Sequence, residues 1–145
     1  VHLVGRNKRT IKLAHQIGIK NAGTELVKPR TGFDGIIDAT NHKSIPHEIV
    51  QAVEPGGRVV YIGISGEPSL IDSRDLALKD VTAVGILSAS PGLKGAIEIF
   101  ARGQVDPRPL IAATISLNEV QDVFLGKRPQ GAGDGPKIHI DPRIK

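Results

Sequence analysis

Residues 33–64 read FDGIIDATNHKSIPHEIVQAVEPGGRVVYIGI, and this stretch decides the fold class. It opens with an apolar run that predicts a strand at Ile36–Thr40, and Ile45–Val53 then repeats apolar side chains at helical spacing. The turn Pro55–Gly57 ends that helix. The next run, Arg58–Ile64, is nearly continuous in apolar residues, which is typical of a parallel strand covered on both faces.

The alternation of strand and helix continues on both sides of this stretch. Upstream, Val1–Val4 predicts a buried strand, and Lys8–Ile17 predicts a helix that starts after the N-cap Asn7 and ends at Gly18. A very short strand is expected at Glu25–Val27. Downstream, the pattern predicts a helix at 73–78, a strand at 81–87 and a helix from 93 to 100. This order indicates an α/β sheet with right-handed crossovers.

The character of the chain changes near residue 104, where a proline-containing linker begins. A strand is predicted at 110–115, and Ser116 and Glu119 have the spacing of a capping box at the start of a short helix. A loop rich in Gly and Pro, interpreted as a flexible surface loop, then precedes a last strand at Lys137–Ile140.

The composition limits the classes of function. The chain has 145 residues, of which 39% are hydrophobic, so it can bury the core of one domain. It contains no Cys, which excludes a disulfide or thiolate chemistry and fits a cytoplasmic protein. The net charge of +4 comes from scattered basic residues without interleaved aromatic residues, which argues against nucleic-acid binding. No apolar run approaches the length of a membrane span, so we expect no membrane partner.

Nothing in the sequence forms a metal-binding or nucleophilic motif. The five histidines lack metal-ligand spacing, and no serine lies in a G-x-S-x-G turn. The glycine-rich residues 131–135 lack the Lys-Ser/Thr ending of a phosphate-binding loop, and a strand rather than a helix follows them. We therefore predict no metal ligand and no catalytic residue within this chain.

The first candidate binding site is Gly5-Arg6-Asn7, between the first strand and its helix. In a dinucleotide-binding fold, an acidic residue at the tip of the second strand binds the adenine ribose and repels a 2′-phosphate. Here a small residue and Arg6 occupy that corner, Lys8 and Arg9 add positive charge, and a helix N-terminus adds donors. The pattern favours NADP over NAD, and a solvated basic helix start remains the alternative interpretation.

The second candidate site is Thr40-Asn41, with the preceding Asp38-Ala39, at the carboxyl end of a predicted strand. Ligands of open α/β sheets bind at such ends, and small polar residues allow close approach of a ribose or base. An ordinary strand-to-helix turn would have the same composition.

The chain as a whole resembles the C-terminal, cofactor-binding portion of a zinc-type medium-chain dehydrogenase/reductase of the alcohol dehydrogenase kind. The resemblance rests on a series of segments in one order: Val1–Gly18, Phe33–Thr40, Pro55–Gly63, Arg102–Ile111 and Pro136–Ile138. It implies a partial dinucleotide-binding domain at 1–104 and a C-terminal segment of the catalytic domain at 105–145.

The resemblance also implies roles for individual residues. Gly5, Arg6 and Asn7 would hold the adenosine phosphate, and Thr40 and Asn41 would lie beside the ribose. The residues expected to flank the nicotinamide are Ile62, Gly63, Ile64, Leu87 and Ser88, and Lys137 would approach the pyrophosphate. The strand 81–87 would pair across the two-fold axis of a homodimer, which agrees with an apolar edge that carries no charge or Pro.

The chain departs from the family in what it lacks. The first strand with its G-x-G-x-x-G turn is absent, and so is the N-terminal lobe with its zinc ligands. Because that strand lies in the middle of the 3-2-1-4-5-6 order, we expect an incomplete Rossmann-type sheet with a gap between Val1–Val4 and Ile36–Thr40. The resemblance therefore implies that the chain is a cofactor-binding fragment of an NADP(H)-dependent alcohol or polyol oxidoreductase. We expect it not to catalyse hydride transfer alone, and we expect zinc only in the missing half of the parent protein.

Two other hypotheses stay open at the level of sequence. A methyltransferase-like domain also carries a Pro-Gly-Gly turn before a strand, although no acidic-glycine cofactor loop is visible here. A non-catalytic module that binds a nucleotide or only dimerises is the other alternative.

Overall fold

The computed structural model describes residues 1–87 and 91–144. The chain forms two compact units, one built from Val1–Leu26 and Gly95–Lys145 and the other from Val27–Lys94. We call them the split unit and the central unit.

The strands of the described residues are β1 His2–Val4, β2 Asn21–Gly23, β3 Phe33–Asp38, β4 Val53–Tyr61, β5 Thr82–Gly85, β6 Ile111–Ile115 and β7 Lys137–Ile140. The α-helices are α1 Lys8–Gln16, α2 Ile45–Ala52, α3 Ser73–Leu78, α4 Gly92–Ala101 and α5 Val120–Phe124, with 3-10 turns at Arg108–Leu110 and Leu117–Glu119.

The central unit is a three-stranded parallel sheet in the order β3-β4-β5, with α2 as the connection from β3 to β4. Its core consists of Ile49, Val53 and Val59, and partly buried aliphatic side chains of β3 and α2 pack against them. The predicted parallel α/β architecture is confirmed here. Because β3 and β4 run in the same direction, Asp38 lies beside Tyr61 at their carboxyl ends.

Two contacts fix the ends of α2. Pro46 occupies the first turn, where its missing N–H removes no hydrogen bond. At the other end, the Lys79 ammonium donates to the carbonyl oxygens of Val50 and Gln51 at 3.0 and 2.9 Å, and to that of Val53 at 3.4 Å. These carbonyls lie at the helix end where intrahelical donors run out, so a cation there satisfies them.

The split unit contains two parallel strand pairs, β1 with β2 and β6 with β7. Asn7 caps α1 as predicted, because its side chain accepts a hydrogen bond from the Thr10 N–H at 2.9 Å. Gly18 adopts a φ of +91°, the conformation that favours glycine after a helix. The capping box of Ser116 and Glu119 is present as well.

Several expectations need correction. Glu25–Val27 is not a strand; the second strand is Asn21–Gly23. The first strand is not buried, because it pairs with β2 alone in a two-stranded sheet, and Val4 stays half exposed. The predicted strand at 81–87 is shorter, at Thr82–Gly85. The absence of the family's own first strand from this chain, and a domain boundary at 104/105, remain predictions.

Candidate functional site

A cavity of about 210 Å³ lies at the carboxyl ends of β3 and β4 in the central unit. It is lined by Asp38, Thr40, His42, Pro46, Tyr61, Gly63, Ser65, Ser69 and Ile71. Most of these side chains are polar, and they come from the ends of the two strands, the segments that follow them and the start of α2. The cavity therefore occupies the position at which open parallel sheets bind their ligands.

Asp38 organises this end of the sheet. Its carboxylate is buried, with 4% of the residue exposed, and Oδ1 accepts the Thr40 N–H at 2.8 Å. Its main-chain carbonyl accepts two further hydrogen bonds, from the N–H groups of Ile62 and Gly63 at 2.9 Å each. One residue thus holds both the chain that follows β3 and the chain that follows β4.

The two turns touch at Gly63. A Cβ atom added to this glycine would lie 1.8 Å from the carbonyl oxygen of Thr40 and 2.6 Å from its nitrogen. Backbone atoms cannot move aside as a flexible side chain can, so this position accepts no side chain without displacing the Thr40 turn. Because Gly63 has no side chain, main-chain atoms of Gly63 and Thr40 form this part of the cavity wall.

Tyr61 closes the cavity toward α2. Its hydroxyl donates a hydrogen bond of 3.4 Å to the carbonyl oxygen of Pro46. Burial raises the pKa of the Tyr61 phenol above its usual value, and the negative charge of Asp38 raises it further. The phenol is therefore a neutral hydrogen-bonding group at physiological pH.

A chain of hydrogen bonds runs from this cavity along the start of α2. The ring Nδ1 of His42 lies 3.0 Å from Ser44 Oγ, which in turn lies 2.7 Å from Glu48 Oε1. Glu48 lines a second cavity, of about 640 Å³, together with Lys43, Ser44, His47, Glu67, Pro68 and Leu70. An exposed ion pair of Lys43 with Glu67 at 2.8 Å spans that second cavity.

The basic residues at the start of α1 belong to the split unit. Arg6, Lys8 and Arg9 are exposed, and no carboxylate among residues 1–87 and 91–144 pairs with them within 4.0 Å. Asp134 instead pairs with Lys12, one turn further along α1, at 2.8 Å. The hydrogen bond from Lys12 lowers the pKa of the Asp134 carboxyl, and Arg128 and Arg9 lower it further by their charge.

The structure brings together some of the residues predicted for the cofactor site. Thr40 and Gly63 line the smaller cavity, and Asn41 follows Thr40 in the sequence. The side chains of Ile62, Ile64 and Leu87 are largely exposed, at the carboxyl ends of β4 and β5.

The remaining predicted residues lie elsewhere in the described structure, with one exception. Gly5, Arg6 and Asn7 lie between β1 and α1 of the split unit, and Lys137 is an exposed residue at the start of β7. Ser88 lies outside the described residues.

The sequence places Asp38 in the second candidate site but assigns no role to its carboxylate, and it does not indicate Tyr61 as a site residue. The signal for Asp38 was available, since a carboxylate that follows two isoleucines in a strand needs a partner. Tyr61 gave no comparable signal, because a tyrosine in an apolar strand is an ordinary core residue. Ser65, Ser69 and Ile71 come from a loop whose path the sequence pattern does not predict.

Within residues 1–87 and 91–144, no group of three or more His, Asp or Glu side chains is arranged to hold a metal ion. No helix in the same residues has both the length and the apolar composition needed to cross a membrane.

A family model described as zinc-binding dehydrogenase matches residues 1–102. The chain belongs to the zinc-binding dehydrogenase family. It is similar to a protein of Rhizobium meliloti that carries the provisional name D-xylulose reductase, with 37% identity over 88 residues, which are 61% of this chain and 25% of the relative. This zinc-binding dehydrogenase chain thus spans about a quarter of the length of the curated relatives that it matches.

Two solved structures share the fold of this chain. The rspB alcohol dehydrogenase of Escherichia coli, crystallised with NADH, aligns with a TM-score of 0.74 and 24% identity over 89% of this chain and 41% of its own. A zinc-binding dehydrogenase of provisional assignment from Sinorhizobium meliloti, bound to NADP, aligns with a TM-score of 0.81 and 22% identity over 98% and 45%. The parallel sheets and helices described above are therefore Rossmann-like.

The residues of this zinc-binding dehydrogenase chain fit a nucleotide better than a metal. The cavity has a main-chain wall at Gly63, a buried carboxylate and several hydroxyl groups, which suit the hydroxyl groups of a ribose. A zinc ion needs three or four His, Cys or acidic ligands, and the described residues offer no such group.

Proposed function

We propose that this chain binds a nicotinamide dinucleotide, NADP(H) in preference to NAD(H), as the cofactor-binding part of an alcohol or polyol oxidoreductase. The observation that carries the proposal is the cavity between Asp38, Thr40 and Gly63 at the carboxyl ends of parallel strands, in a chain of the zinc-binding dehydrogenase family. Family membership favours this function over a methyltransferase-like domain.

The preference for a 2′-phosphate rests on Arg6. Its guanidinium is exposed, has no described carboxylate within ion-pair distance, and lies just before the N-terminus of α1. An arginine at this point can form a charge-assisted contact with a phosphate, and the free N–H groups of the helix start add to it. Gly5 leaves room there, since it carries no acidic side chain that would repel the phosphate.

The chain's own residues would bind and orient the cofactor. In the proposed complex, Thr40 and Asn41 contact the ribose, Lys137 approaches the pyrophosphate, and Gly63 flanks the nicotinamide. Ile62, Ile64, Leu87 and Ser88 would cover the nicotinamide and exclude water from it. When bound, the cofactor supplies the hydride chemistry.

The oxidoreductase activity belongs to the proposal for the whole protein, because this chain covers only part of its relatives. Polarisation of the alcohol or carbonyl oxygen would require zinc ligands outside these residues. We also propose a homodimer through the edge of β5 within 81–87, where the strand carries no charge or Pro. A cytoplasmic location, expected from the absence of Cys, completes the proposal.

The direct test compares NADPH and NADH affinity in the wild type, Arg6→Ala and Arg30→Ala. Arg30 is an exposed arginine of the central unit and serves as the matched control. Loss of one charge-assisted phosphate contact costs about 1.5–3 kcal/mol, so Arg6→Ala should weaken NADPH roughly 10- to 100-fold. NADH affinity and the Arg30→Ala variant should stay within twofold. Unchanged NADPH affinity in Arg6→Ala would overturn the preference for NADP(H).

A further inference from the structure

Asp38 carries a buried carboxylate that accepts a hydrogen bond from the main chain, at Thr40. A carboxylate removed from water is costly unless hydrogen bonds compensate for the lost hydration. Asp38 is 4% exposed, and its Oδ1 accepts the N–H of Thr40, two residues further along the chain, at 2.8 Å. That hydrogen bond bends the chain just after β3 and directs the next residues along the cavity wall.

The same turn is held from its other side. The carbonyl oxygen of Asp38 accepts the N–H groups of Ile62 and Gly63 at 2.9 Å each, and the backbone of Gly63 packs directly against that of Thr40. Three hydrogen bonds to one residue therefore lock two turns together. Without the side-chain hydrogen bond, the Thr40 N–H would lose its acceptor. Only the contacts with Ile62 and Gly63, after β4, would then hold the turn.

We propose that Asp38 is a positioning residue for a ribose-bearing ligand: its carboxylate holds the Thr40-Asn41 turn in the conformation that receives the ribose. This inference rests on the proposed function, because it assumes that a nicotinamide dinucleotide occupies the cavity. It extends that function by assigning a role to a residue that contacts the turn. The carboxylate acts through an acceptor oxygen, so an amide oxygen at the same place can replace it.

The test uses the whole chain with NADPH as the probe and three variants. Asp38→Ala removes the acceptor, and Asp38→Asn keeps an oxygen in nearly the same position. Asp106→Ala is the matched control, because the Asp106 carboxylate also accepts an N–H two residues further on, that of Arg108 at 3.0 Å, but on an exposed segment of the split unit. The dissociation constant is measured by NADPH fluorescence well below the unfolding temperature, with circular dichroism as a check of folding.

Asp38→Ala should bind NADPH at least tenfold more weakly than the wild type, because the acceptor oxygen that fixes the Thr40 turn is lost. Asp38→Asn should stay within threefold and Asp106→Ala within twofold. Because Asn also fills the space of the buried Asp38 side chain, a further variant, Asp38→Leu, separates positioning from packing: Leu fills a similar space without an acceptor oxygen and should bind NADPH as weakly as Asp38→Ala. A folded Asp38→Ala with wild-type affinity would overturn the proposal, as would an Asp38→Asn as weak as Asp38→Ala.

If Asp38→Ala does not fold, Asp38→Glu takes its place. Glu keeps the charge but moves the carboxylate one methylene away from the Thr40 N–H. The proposal is supported if Asp38→Glu binds NADPH tenfold more weakly than the wild type while Asp38→Asn binds it no more than threefold more weakly. It is overturned if Asp38→Glu and Asp38→Asn bind NADPH equally well. Failure of the wild type to bind NADPH or NADH would overturn the proposed function as well, whereas wild-type affinity in every variant would overturn only the role of Asp38.

Discussion

Replacing Gly63 by Ala tests how tightly the two turns of the site are packed. The new Cβ atom would lie 1.8 Å from the carbonyl oxygen of Thr40, while ordinary contact begins at 3.4 Å, so the turns must separate by about 1.6 Å. The backbone of Gly63 does not adopt a positive φ, and the cost is therefore steric rather than conformational. Gly66 is the matched control, because a Cβ atom there meets nothing within 4 Å.

The expected loss in the free energy of unfolding of Gly63→Ala has two contributions. Forcing a methyl group into a packed site costs about 1–3 kcal/mol. Separation of the turns also breaks the hydrogen bond from the Gly63 N–H to the Asp38 carbonyl, which contributes about 1 kcal/mol. The sum, about 2–4 kcal/mol, should lower the midpoint of thermal unfolding by roughly 6–12 °C in a chain of this length.

The assay is thermal unfolding followed by circular dichroism, together with a titration with NADPH. Gly63→Ala should show the lower midpoint and at least tenfold weaker NADPH binding, since the Thr40 turn moves with the backbone. Gly66→Ala should match the wild type or be slightly more stable, because Ala restricts the unfolded chain. A Gly63→Ala variant with a midpoint within 2 °C of the wild type would refute the packing argument.

Three other predictions concern the stability of the two units. Lys79→Met should destabilise the chain by about 2–3 kcal/mol in urea unfolding, because it leaves carbonyl oxygens at the end of α2 without their cation. The control Lys43→Met breaks an exposed ion pair and should cost less than about 1 kcal/mol. Equal effects of the two would contradict the capping role. Glu119→Ala should cost about 1 kcal/mol in the same assay, since Glu119 accepts the N–H and the hydroxyl of the N-cap serine at 2.9 Å each, and no change would show that the capping box adds no stability. The pKa of the Asp106 carboxyl is lowered to about 2 by hydrogen bonds from the side chain and then the main chain of Arg108, so its contribution to stability is present above the usual Asp range and is lost as the pH falls through about 2. An NMR titration should show this low pKa and its return to the usual range in Arg108→Met; an ordinary pKa in the wild type would contradict the pairing.

The sequence predicted those parts of the fold whose signals are local. Asn7, Pro46 and the Ser116–Glu119 spacing mark helix starts through side-chain chemistry within one turn, and the structure has helices at each. The strand Lys137–Ile140 alternates in an ordinary way and is found within the same bounds. Where a residue's own neighbours decide its conformation, the sequence pattern is sufficient.

The errors occur where distant residues decide the structure. Asn21–Gly23 has no strand-forming composition and becomes β2 because β1 pairs with it. Glu25–Val27 carries the apolar pair that suggests a strand, yet it has no partner in the described sheets. The main-chain carbonyl of Asp38 is a similar case, because its hydrogen bonds come from Ile62 and Gly63 in the turn that follows β4.

The most direct test of the central claim is a ¹⁵N NMR titration of the whole chain with NADPH. Our account predicts that the amide signals of Asn7, Thr40, Asn41 and Gly63 shift together along a single binding curve, at lower concentrations of NADPH than of NADH. The absence of any shift, or shifts confined to the larger cavity lined by Lys43 and Glu67, would contradict it.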